Sequence, residues 1–304
     1  KVDGNQAIVG YKKARTELSG AISVKWQPID RLGMSLTLRE EMFGTDWSPI
    51  IPAFFIDGIL WPRINLTAKA SVSRNFRFPS LNDLYFQPGG NPDLKKESGW
   101  TYDAGLTFKM GREELYELSG GITWFDSYVK DWIIWLPTTK GFFSPKNIKD
   151  VHAYGVELNA NTTFYWAKDW SLSLNGTFSW TPSINNGEPM SPADQSIGKQ
   201  LPYVPLYSAS VNGKITWKTF SFMYKWCYYS ERYTMSSNDI TLSGKLPTYF
   251  MSNITIEKLL KFSWSDISIK FNINNLFNEE YMSVLSRPMP GINFQLFLGI
   301  TPKW

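Results

Sequence analysis

Strict alternation of apolar and polar residues recurs along the whole chain and limits what it can fold into. The clearest run sets the apolar Ile267, Ile269, Phe271 and Ile273 against the polar Ser268, Lys270, Asn272 and Asn274. Similar runs begin at Met34, Leu66, Leu172, Tyr207, Phe220 and Phe294. A period of two predicts β-strands with one apolar and one polar face, and apolar residues at helical spacing are scarce. The chain is therefore expected to be all-β.

The lengths of the strands and of their connections point to a membrane barrel. About thirteen strands are predicted, most of about ten or more residues, whereas strands of soluble proteins average about five or six. Short connections, such as residues 27–31, 62–63, 110–114 and 217–219, alternate with long ones at residues 76–98, 182–204, 232–247 and 275–291. Tight turns at one end and large loops at the other predict a transmembrane, antiparallel, up-and-down β-barrel.

Tryptophans are sorted by the type of connection beside them. The chain contains 14. Those next to short turns or the terminus include Trp26, Trp61, Trp166, Trp217 and Trp304, and those near the long loops include Trp47, Trp132, Trp135, Trp180 and Trp226. Two such belts are typical of the two membrane–water interfaces, where an apolar ring with one N–H donor is stable. The alternative is a soluble β-sandwich, but its strands would be shorter and its Trp residues unsorted.

The polar positions of the strands carry charges that a packed core would not tolerate. These positions include Arg39, Lys69, Asp103, Glu157, Lys214, Lys225 and Lys270. We expect them to face a wide lumen that holds water or a folded plug. An odd number of strands with two open edges cannot span a membrane, because unpaired backbone groups in hydrocarbon cost several kcal/mol each. Either the count differs by one, or further strands precede residue 1.

The composition excludes several other classes of function. No stretch approaches the roughly 18 consecutive apolar residues of a membrane helix. The net charge of +4 is spread along the chain, which argues against a nucleic-acid partner. With Cys227 and His152 as the single residues of their types, neither a disulfide framework nor a metal site is expected. No catalytic constellation or phosphate-binding glycine loop is found, so neither an enzyme nor a cofactor is predicted.

Three motifs, in order along the chain, resemble those of TonB-dependent outer-membrane receptors. The first comprises Ser73, Arg74, Phe76, Arg77 and Pro79, followed by Asn91, Pro92, Leu94 and Glu97. The second comprises Asn147, Ile148, Tyr154, Gly155, Val156 and Glu157. The third comprises Asn275, Leu276, Phe277, Asn278 and Tyr281, then Arg287, Pro288, Pro290 and Gly291. One departure is Lys96, where the family often has proline.

The resemblance implies an architecture and a set of partners. Residues 1–304 would be the C-terminal part of the barrel, about the last thirteen of 22 strands, with the first strands and the plug domain encoded before residue 1. The implied location is the outer membrane, in contact with lipid. The implied partners are the TonB–ExbB–ExbD complex through the plug, the barrel-assembly machinery through a last strand ending at Trp304, and a surface lipoprotein.

The resemblance also implies TonB-energised uptake of a large, scarce nutrient, with a ferric siderophore or cobalamin as the favoured cargo. Aromatic and cationic loop residues would suit an acidic ferric chelate, namely Arg77, Tyr85, Lys95, Arg232, Tyr233 and Arg287. Haem is less favoured, because the family's haem receptors carry a histidine between the first two boxes and residues 81–90 contain none. The alternatives are glycan uptake, a passive or substrate-specific porin-like channel, and a barrel-embedded enzyme.

Overall fold

Alternating side chains fold this chain into antiparallel strands that pair with their neighbours in chain order. The computed structural model describes residues 11–303, apart from residues 139, 190, 191 and 242. The main path of the sheet comprises β1 (Glu17–Ile29), β2 (Leu32–Phe43), β4 (Ile51–Trp61), β5 (Leu66–Arg77), β6 (Glu97–Arg112), β7 (Tyr116–Pro137), β8 (Phe143–Ala167), β9 (Trp170–Trp180), β11 (Tyr207–Trp217), β12 (Phe220–Tyr229), β15 (Tyr249–Lys261), β16 (Ser265–Asn274) and β19 (Asn293–Pro302). This path of thirteen strands confirms the predicted all-β meander.

Shorter elements lie in the connections. Strand β3 (Asp46–Trp47) pairs with β2, and β10 (Ser183–Asn185) pairs with β8. Two small hairpins pair β13 (Arg232–Tyr233) with β14 (Lys245–Leu246), and β17 (Met282–Val284) with β18 (Arg287–Pro288). The helices are a 3₁₀ turn (Pro62–Ile64) and α1 (Leu81–Tyr85). The long loops were predicted, but the short strands inside them were not. Among the described residues, no helix is long and apolar enough to cross a membrane.

The two faces of the sheet differ sharply in polarity. Residues paired across strands point to the same side, so the register can be followed from β1 to β19. It places Arg39, Lys69, Asp103, Glu157, Lys214, Lys225 and Lys270 on one side, here called the polar face. The opposite, apolar face leaves Leu106, Ile122 and Leu158 exposed by 42%, 44% and 42%. A soluble sandwich would bury such residues against a second sheet, and the described residues contain no sheet that covers them.

The two ends of the sheet also differ. The turn rim is the end with the short connections, where residues such as Asn65, Asp169 and Lys218 adopt positive φ of 45°, 76° and 52°. The loop rim is the opposite end, where the four long connections gather and where β7 and β8 reach 22 and 25 residues. Strands β1 and β19 lie at the two lateral ends of the path, and in the described ranges no pairing joins them. Trp304 lies outside the described residues.

Two of the predicted belt tryptophans have a different environment. Trp132 packs against the buried pair Val151 and Leu201 at the loop rim. The indole N–H of Trp135 donates to Asp83 at 2.9 Å, and its ring meets Phe86 edge-on with centroids 5.8 Å apart. Both rings lie in the part of β7 that extends past the strand rows with exposed apolar residues. They therefore contact loops and do not face outward.

Candidate functional site

The first motif forms an ion pair that joins three strands at the loop rim. Glu97, which begins β6, accepts from Nε and Nη2 of Arg77 at 2.7 and 2.8 Å. The same carboxylate accepts the backbone N–H of Ile133 in β7 at 2.6 Å. Glu97 is only 8% exposed, so its charge requires this pairing. The Arg and Glu of the motif therefore fasten β5, β6 and β7 to one another.

A capping box shapes the loop between β5 and β6. The Ser80 hydroxyl accepts the N–H of Asp83 at 3.1 Å, and the Asp83 carboxylate accepts the N–H of Ser80 at 2.9 Å. Burial alone would raise the pKa of Asp83, but hydrogen bonds from Ser80 and Trp135, with the charge of Arg77, hold it below its usual value. Helix α1 is thus fixed at both its cap and its buried carboxylate.

The first and second motifs contact each other through asparagine side chains. Asn147 Oδ1 accepts the N–H of Lys95 at 2.9 Å, while its Nδ2 donates to the Lys95 carbonyl at 3.1 Å. Asn91 Nδ2 donates to the carbonyl of Pro145 at 3.2 Å. Each amide satisfies backbone groups that no strand partner reaches. The β5–β6 loop is therefore tied to the β7–β8 hairpin at two points.

Lys96 has contacts of its own where the family often has proline. Its Nζ lies 3.0 Å from the carboxylate of Asp46 and 4.7 Å from the ring centroid of Phe78. Phe78 is buried and stacks on Phe43 with centroids 4.4 Å apart. The substitution thus links the β5–β6 loop to the β2–β4 connection by a cation–π contact and an ion pair.

The third motif closes the loop between β16 and β19. Asn275 Oδ1 accepts the N–H of Glu279 at 2.8 Å, and its Nδ2 donates to the carbonyl of Glu279 at 2.9 Å. Asn278 Oδ1 accepts the N–H of Ile292 at 2.9 Å. In the neighbouring loops, Asn238 exchanges two 2.8 Å hydrogen bonds with the backbone of Gln200. The loop rim is therefore a layer of mutually tied loops.

The glycine at position 155 of the second motif lies where the backbone of Trp180 comes very close to its own. A Cβ at this position would collide with the carbonyl oxygen of Trp180 in β9 and would lie 3.0 Å from the Phe125 ring. Strand β9 leaves β8 at this point, since Val156 is the last residue of β8 that pairs with it. A residue without a side chain is required there.

A buried arginine lies among three tyrosines at the loop rim. Arg232 is 5% exposed, and its Nη2 donates to the carbonyls of Pro247 and Met282, each at 3.3 Å. The guanidinium lies 4.8 Å from the ring centroid of Tyr249. Tyr249 in turn stacks on Tyr229 and Tyr281, with centroids 5.2 and 4.8 Å apart. These four residues, here called the tyrosine–arginine cluster, join two of the long loops.

The tyrosine–arginine cluster contains a buried donor without an acceptor among the described residues. Arg232 makes no ion pair with any described residue, and its buried Nε has no hydrogen-bond partner there. Burial lowers the pKa of Arg232, against the opposing influence of Tyr249 and Tyr229. Tyr229 and Tyr249 occupy polar-face positions of β12 and β15. An uncompensated buried cation with phenol groups beside it suits an anionic oxygen ligand.

The six loop residues predicted to contact cargo do not form one site. Arg77 is held by Glu97, and Lys95 is exposed, 3.9 Å from Asp131. Tyr85 lies in α1, where Lys13 sits 5.2 Å from its ring centroid. Tyr233 follows Arg232 directly and accepts the N–H of Tyr203 through its carbonyl at 2.7 Å, whereas Arg287 is exposed in β18. Sequence reasoning missed Tyr229, Tyr249 and Tyr281, although Tyr229 and Tyr249 are aromatic at polar-face positions.

The charges of the polar face are only partly balanced within the sheet. Lys69 lies opposite Asp57, and Lys270 lies opposite Glu257. Asp103 accepts the Ser71 hydroxyl at 2.8 Å. Lys225 instead lies between Asn212 and Asn253, so no carboxylate faces it in its own row. No group of three or more His, Cys, Asp or Glu residues in the described part of the chain could hold a metal ion.

An antiparallel meander with an exposed apolar face and a charged polar face is the wall of a β-barrel. A family model for the β-barrel of TonB-dependent receptor-like proteins matches residues 1–276. The chain belongs to this family of receptors and transporters. Three solved structures resemble it at TM-scores of 0.70, 0.67 and 0.66, with 14%, 17% and 15% identity: copper transporter OprC, ferric enterobactin receptor PfeA, and siderophore receptor PirA from Acinetobacter baumannii. Each match covers 95% of this chain and 48%, 46% and 46% of those chains, respectively.

Two curated relatives are vitamin B12 transporters named BtuB. The protein of Photobacterium profundum is 26% identical over 228 residues, which covers 72% of this chain and 33% of that protein. The protein of Vibrio vulnificus is 33% identical over 92 residues, covering 30% of this chain and 14% of that protein. The matched segments thus span a third or less of these relatives' length.

Proposed function

We propose that this chain is the C-terminal part of an outer-membrane receptor for TonB-energised uptake of a large nutrient. In this proposal the apolar face contacts lipid, the loop rim faces the cell exterior, and the polar face surrounds a plug domain. Arg39, Lys69, Asp103, Glu157, Lys225 and Lys270 would then contact the plug or the water around it. Family membership and the polarity of the two faces support this arrangement.

The proposed partners follow from the same arrangement. The plug would engage the TonB–ExbB–ExbD complex, and the last strand would engage the barrel-assembly machinery. A surface lipoprotein would dock on the loop layer. A passive porin-like channel is the main competing function, and energy dependence separates the two. Uptake that persists after TonB is deleted would contradict the proposal.

The cargo is proposed to be a ferric siderophore or cobalamin. The tyrosine–arginine cluster is the observation that favours an anionic ferric chelate, because Arg232 has no counter-charge in the described part of the chain. The vitamin B12 transporters among the relatives favour cobalamin as the second candidate. Of the residues predicted from the sequence, Arg232 and Tyr233 lie at the cluster, whereas Arg77, Tyr85, Lys95 and Arg287 would contact cargo elsewhere on the loop layer.

The test is uptake of two labelled cargoes by cells that lack the gene. Complementation with the complete gene product should restore uptake of either cyanocobalamin or a ferric catecholate, and only in the presence of TonB. Arg232→Gln should reduce uptake of an anionic cargo about tenfold, since a charge-assisted hydrogen bond is worth about 1.5–3 kcal/mol. Arg232→Lys should retain part of it. Lys168→Gln, a control at an exposed position of the turn rim, should have no effect.

Restoration of neither cargo would reject cobalamin and catecholate siderophores as cargo. Equal uptake by Arg232→Gln and the wild type would reject the cluster as a cargo site while leaving the receptor function intact. Surface labelling of each variant establishes that it reaches the membrane, which separates loss of binding from loss of folding.

A further inference from the structure

Asparagines lie side by side across the polar face of seven consecutive strands of the path, from β8 to β19. Six of them share one row across the strands: Asn161, Asn175, Asn212, Asn253, Asn274 and Asn293. Asn253 and Asn274 continue the register of β15 and β16 by one residue. On β12 the position between Asn212 and Asn253 is taken by Lys225, which pairs with both. The six residues are here called the asparagine row.

The asparagine row leads from the loop rim to the middle of the wall. Asn274 is the last residue of β16, and Asn293 is the first residue of β19. Asn175 and Asn212 are instead the central residues of β9 and β11. With a rise of about 3.4 Å per residue and a strand tilt of about 35–45°, these two residues lie about 13 Å deeper than the loop-rim ends of their strands. A solute that follows the row from the loop rim therefore moves about half-way into the barrel.

The row passes below the tyrosine–arginine cluster. Tyr249 of the cluster and Asn253 of the row lie four residues apart on β15. Tyr229 and Lys225 lie four residues apart on β12. Four residues correspond to about 13 Å along a strand, and residues separated by an even number point to the same face. A ligand that leaves the cluster toward the turn rim therefore meets Lys225 and the asparagines beside it.

The loop-rim end of the row stabilises the wall itself. Asn253 Oδ1 accepts the backbone N–H of Asn275 at 2.9 Å. Asn274 Nδ2 donates to Asn293 Oδ1 at 2.9 Å, across two neighbouring strands. Cross-strand contacts of this kind stabilise a sheet. These amides therefore have a structural role.

The centre of the row retains free hydrogen-bonding groups. Asn175 Nδ2 donates to Asn161 Oδ1 at 3.2 Å, but its own Oδ1 accepts no hydrogen bond from any described residue. In the same part of the chain, Asn212 makes no side-chain hydrogen bond and Lys225 makes no ion pair. None of these side chains is buried. Because an amide offers both N–H donors and a carbonyl acceptor, the centre can bind neutral groups of either kind.

An open row of this kind suits a nearly neutral solute with many amide or hydroxyl groups. One cation among seven positions offers little to a polyanion, whereas amides bind neutral donors and acceptors alike. Each hydrogen bond between neutral groups contributes modestly, so a solute can exchange such bonds one at a time, as passage through a channel requires. Cyanocobalamin, a corrinoid with amide side chains and one phosphodiester, has this chemistry. A ferric catecholate is polyanionic and does not have it.

We propose that Asn175 and Asn212 form a second contact site for the cargo, reached after the tyrosine–arginine cluster, and that this site favours a nearly neutral solute rich in amide or hydroxyl groups. Both side chains hydrogen-bond such groups as the solute moves inward. The open amides lie beside β12, which carries part of the cluster, and this position favours the cargo over the plug domain as their occupant. The inference rests on the proposed receptor function and narrows its cargo to one of the two candidates.

The test separates surface binding of cyanocobalamin from its uptake in cells that carry the complete gene product. Binding is measured in cells without TonB and uptake in cells with it, and both are normalised to surface-labelled protein. Asn175→Leu combined with Asn212→Leu should leave binding unchanged and slow uptake about tenfold, the effect expected from two hydrogen bonds between neutral groups. Asn175→Gln combined with Asn212→Gln keeps both amides and should retain most of the uptake.

A polar-face asparagine outside the row provides a matched control. Asn75 of β5 donates from Nδ2 to Thr101 on the next strand at 2.6 Å, as Asn175 donates to Asn161. Asn75→Leu removes a comparable contact and should leave uptake unchanged. Sensitivity of the cells to vancomycin, a large antibiotic that an intact outer membrane excludes, reports displacement of the plug and should be the same for every variant.

Four results with the variants would overturn the proposal. Equal uptake by the wild type and the double Asn→Leu variant would reject the second site. Equal losses of binding and uptake would place both residues in the first binding site. An equal loss with Asn75→Leu would show a general effect of lumen polarity. New vancomycin sensitivity of the double variant would assign the row to the plug.

The wild type separates this inference from the receptor function on which it rests. TonB-dependent uptake of a ferric catecholate alone would overturn the solute class, while the receptor function would stand. TonB-dependent uptake of neither cargo would reject the proposed cargoes, and this inference with them.

Discussion

Replacing Glu97 with glutamine tests whether the first motif holds three strands together. The Glu97 carboxylate accepts two hydrogen bonds from Arg77 and one from the N–H of Ile133, at 2.7, 2.8 and 2.6 Å. Oε1 of Glu97 accepts from both Arg77 Nη2 and Ile133, so a glutamine oxygen in that place keeps these two contacts without the negative charge and loses the contact of Oε2 with Arg77 Nε. The glutamine NH₂ group would face a donor in either orientation.

The expected cost follows from these three contacts. Breaking a buried ion pair by removing one partner costs about 3–5 kcal/mol. The Arg77 side chain is 50% exposed, however, so water can solvate its freed charge. We therefore expect about 2 kcal/mol, near the value of one hydrogen bond to a charged group. Such a loss corresponds to roughly 30-fold more frequent local opening.

Amide hydrogen exchange at Ile133 is the direct assay, because this buried N–H is the one that Glu97 protects. Exchange should accelerate about 30-fold in Glu97→Gln, and peptides from β11 should be unaffected. Glu113→Gln, which changes an exposed acid at the turn rim, is the control. An unchanged rate at Ile133 would refute the fastening role. In a double-mutant cycle with Arg77→Gln, strictly additive effects would refute it as well.

Three further predictions concern single contacts. Folding lowers the pKa of Asp83, so the ionised carboxylate stabilises the β5–β6 loop above the ordinary value of about 3.9, and this stabilisation is lost as pH falls through the folded value. Amide hydrogen exchange of the loop, corrected for the pH dependence of the chemical exchange rate, should therefore become faster in acid. The same acceleration should not occur in Asp83→Asn. Asn238→Asp keeps one hydrogen bond to Gln200 and loses the other, which should speed limited proteolysis of the β9–β11 loop several-fold. Gly155→Ala should lower the yield of heat-modifiable barrel, whereas Gly176→Ala should not; equal yields would show that the backbone at Gly155 can relax.

The strands were predictable because their signal is local. The alternation from Ile267 to Ile273 lies within β16 (Ser265–Asn274), and that from Tyr207 to Trp217 coincides with β11. Alternation can be recognised without knowing the partner strand, because successive residues of a strand point to opposite faces of the sheet. The register follows from the short turns, which leave little freedom for slippage.

The loop layer was not predictable in the same way. Glu97 was visible as part of a motif, but its partner Ile133 lies 36 residues away. Asp131, which lies within β7, has a positive φ of 55°, and no periodic pattern in the sequence marks this local conformation. Tyr249 and Tyr281 meet only because two loops fold over the same rim. Contacts of this kind depend on tertiary packing, which pattern reasoning does not reach.

The tied loops suggest why family membership does not fix the cargo. The side chains of Arg77, Glu97, Asn147 and Asn275 are used on one another or on backbone groups. Their hydrogen-bonding capacity is therefore committed to holding the loops, and little of it remains for a ligand. A scaffold stabilised in this way tolerates different residues at the mouth. The copper transporter OprC and the ferric enterobactin receptor PfeA resemble this chain in fold although their names refer to different cargoes. Arg232 lies outside the three motifs, and its buried Nε has no hydrogen-bond partner among the described residues, so it retains a binding capacity that the motif residues have already used.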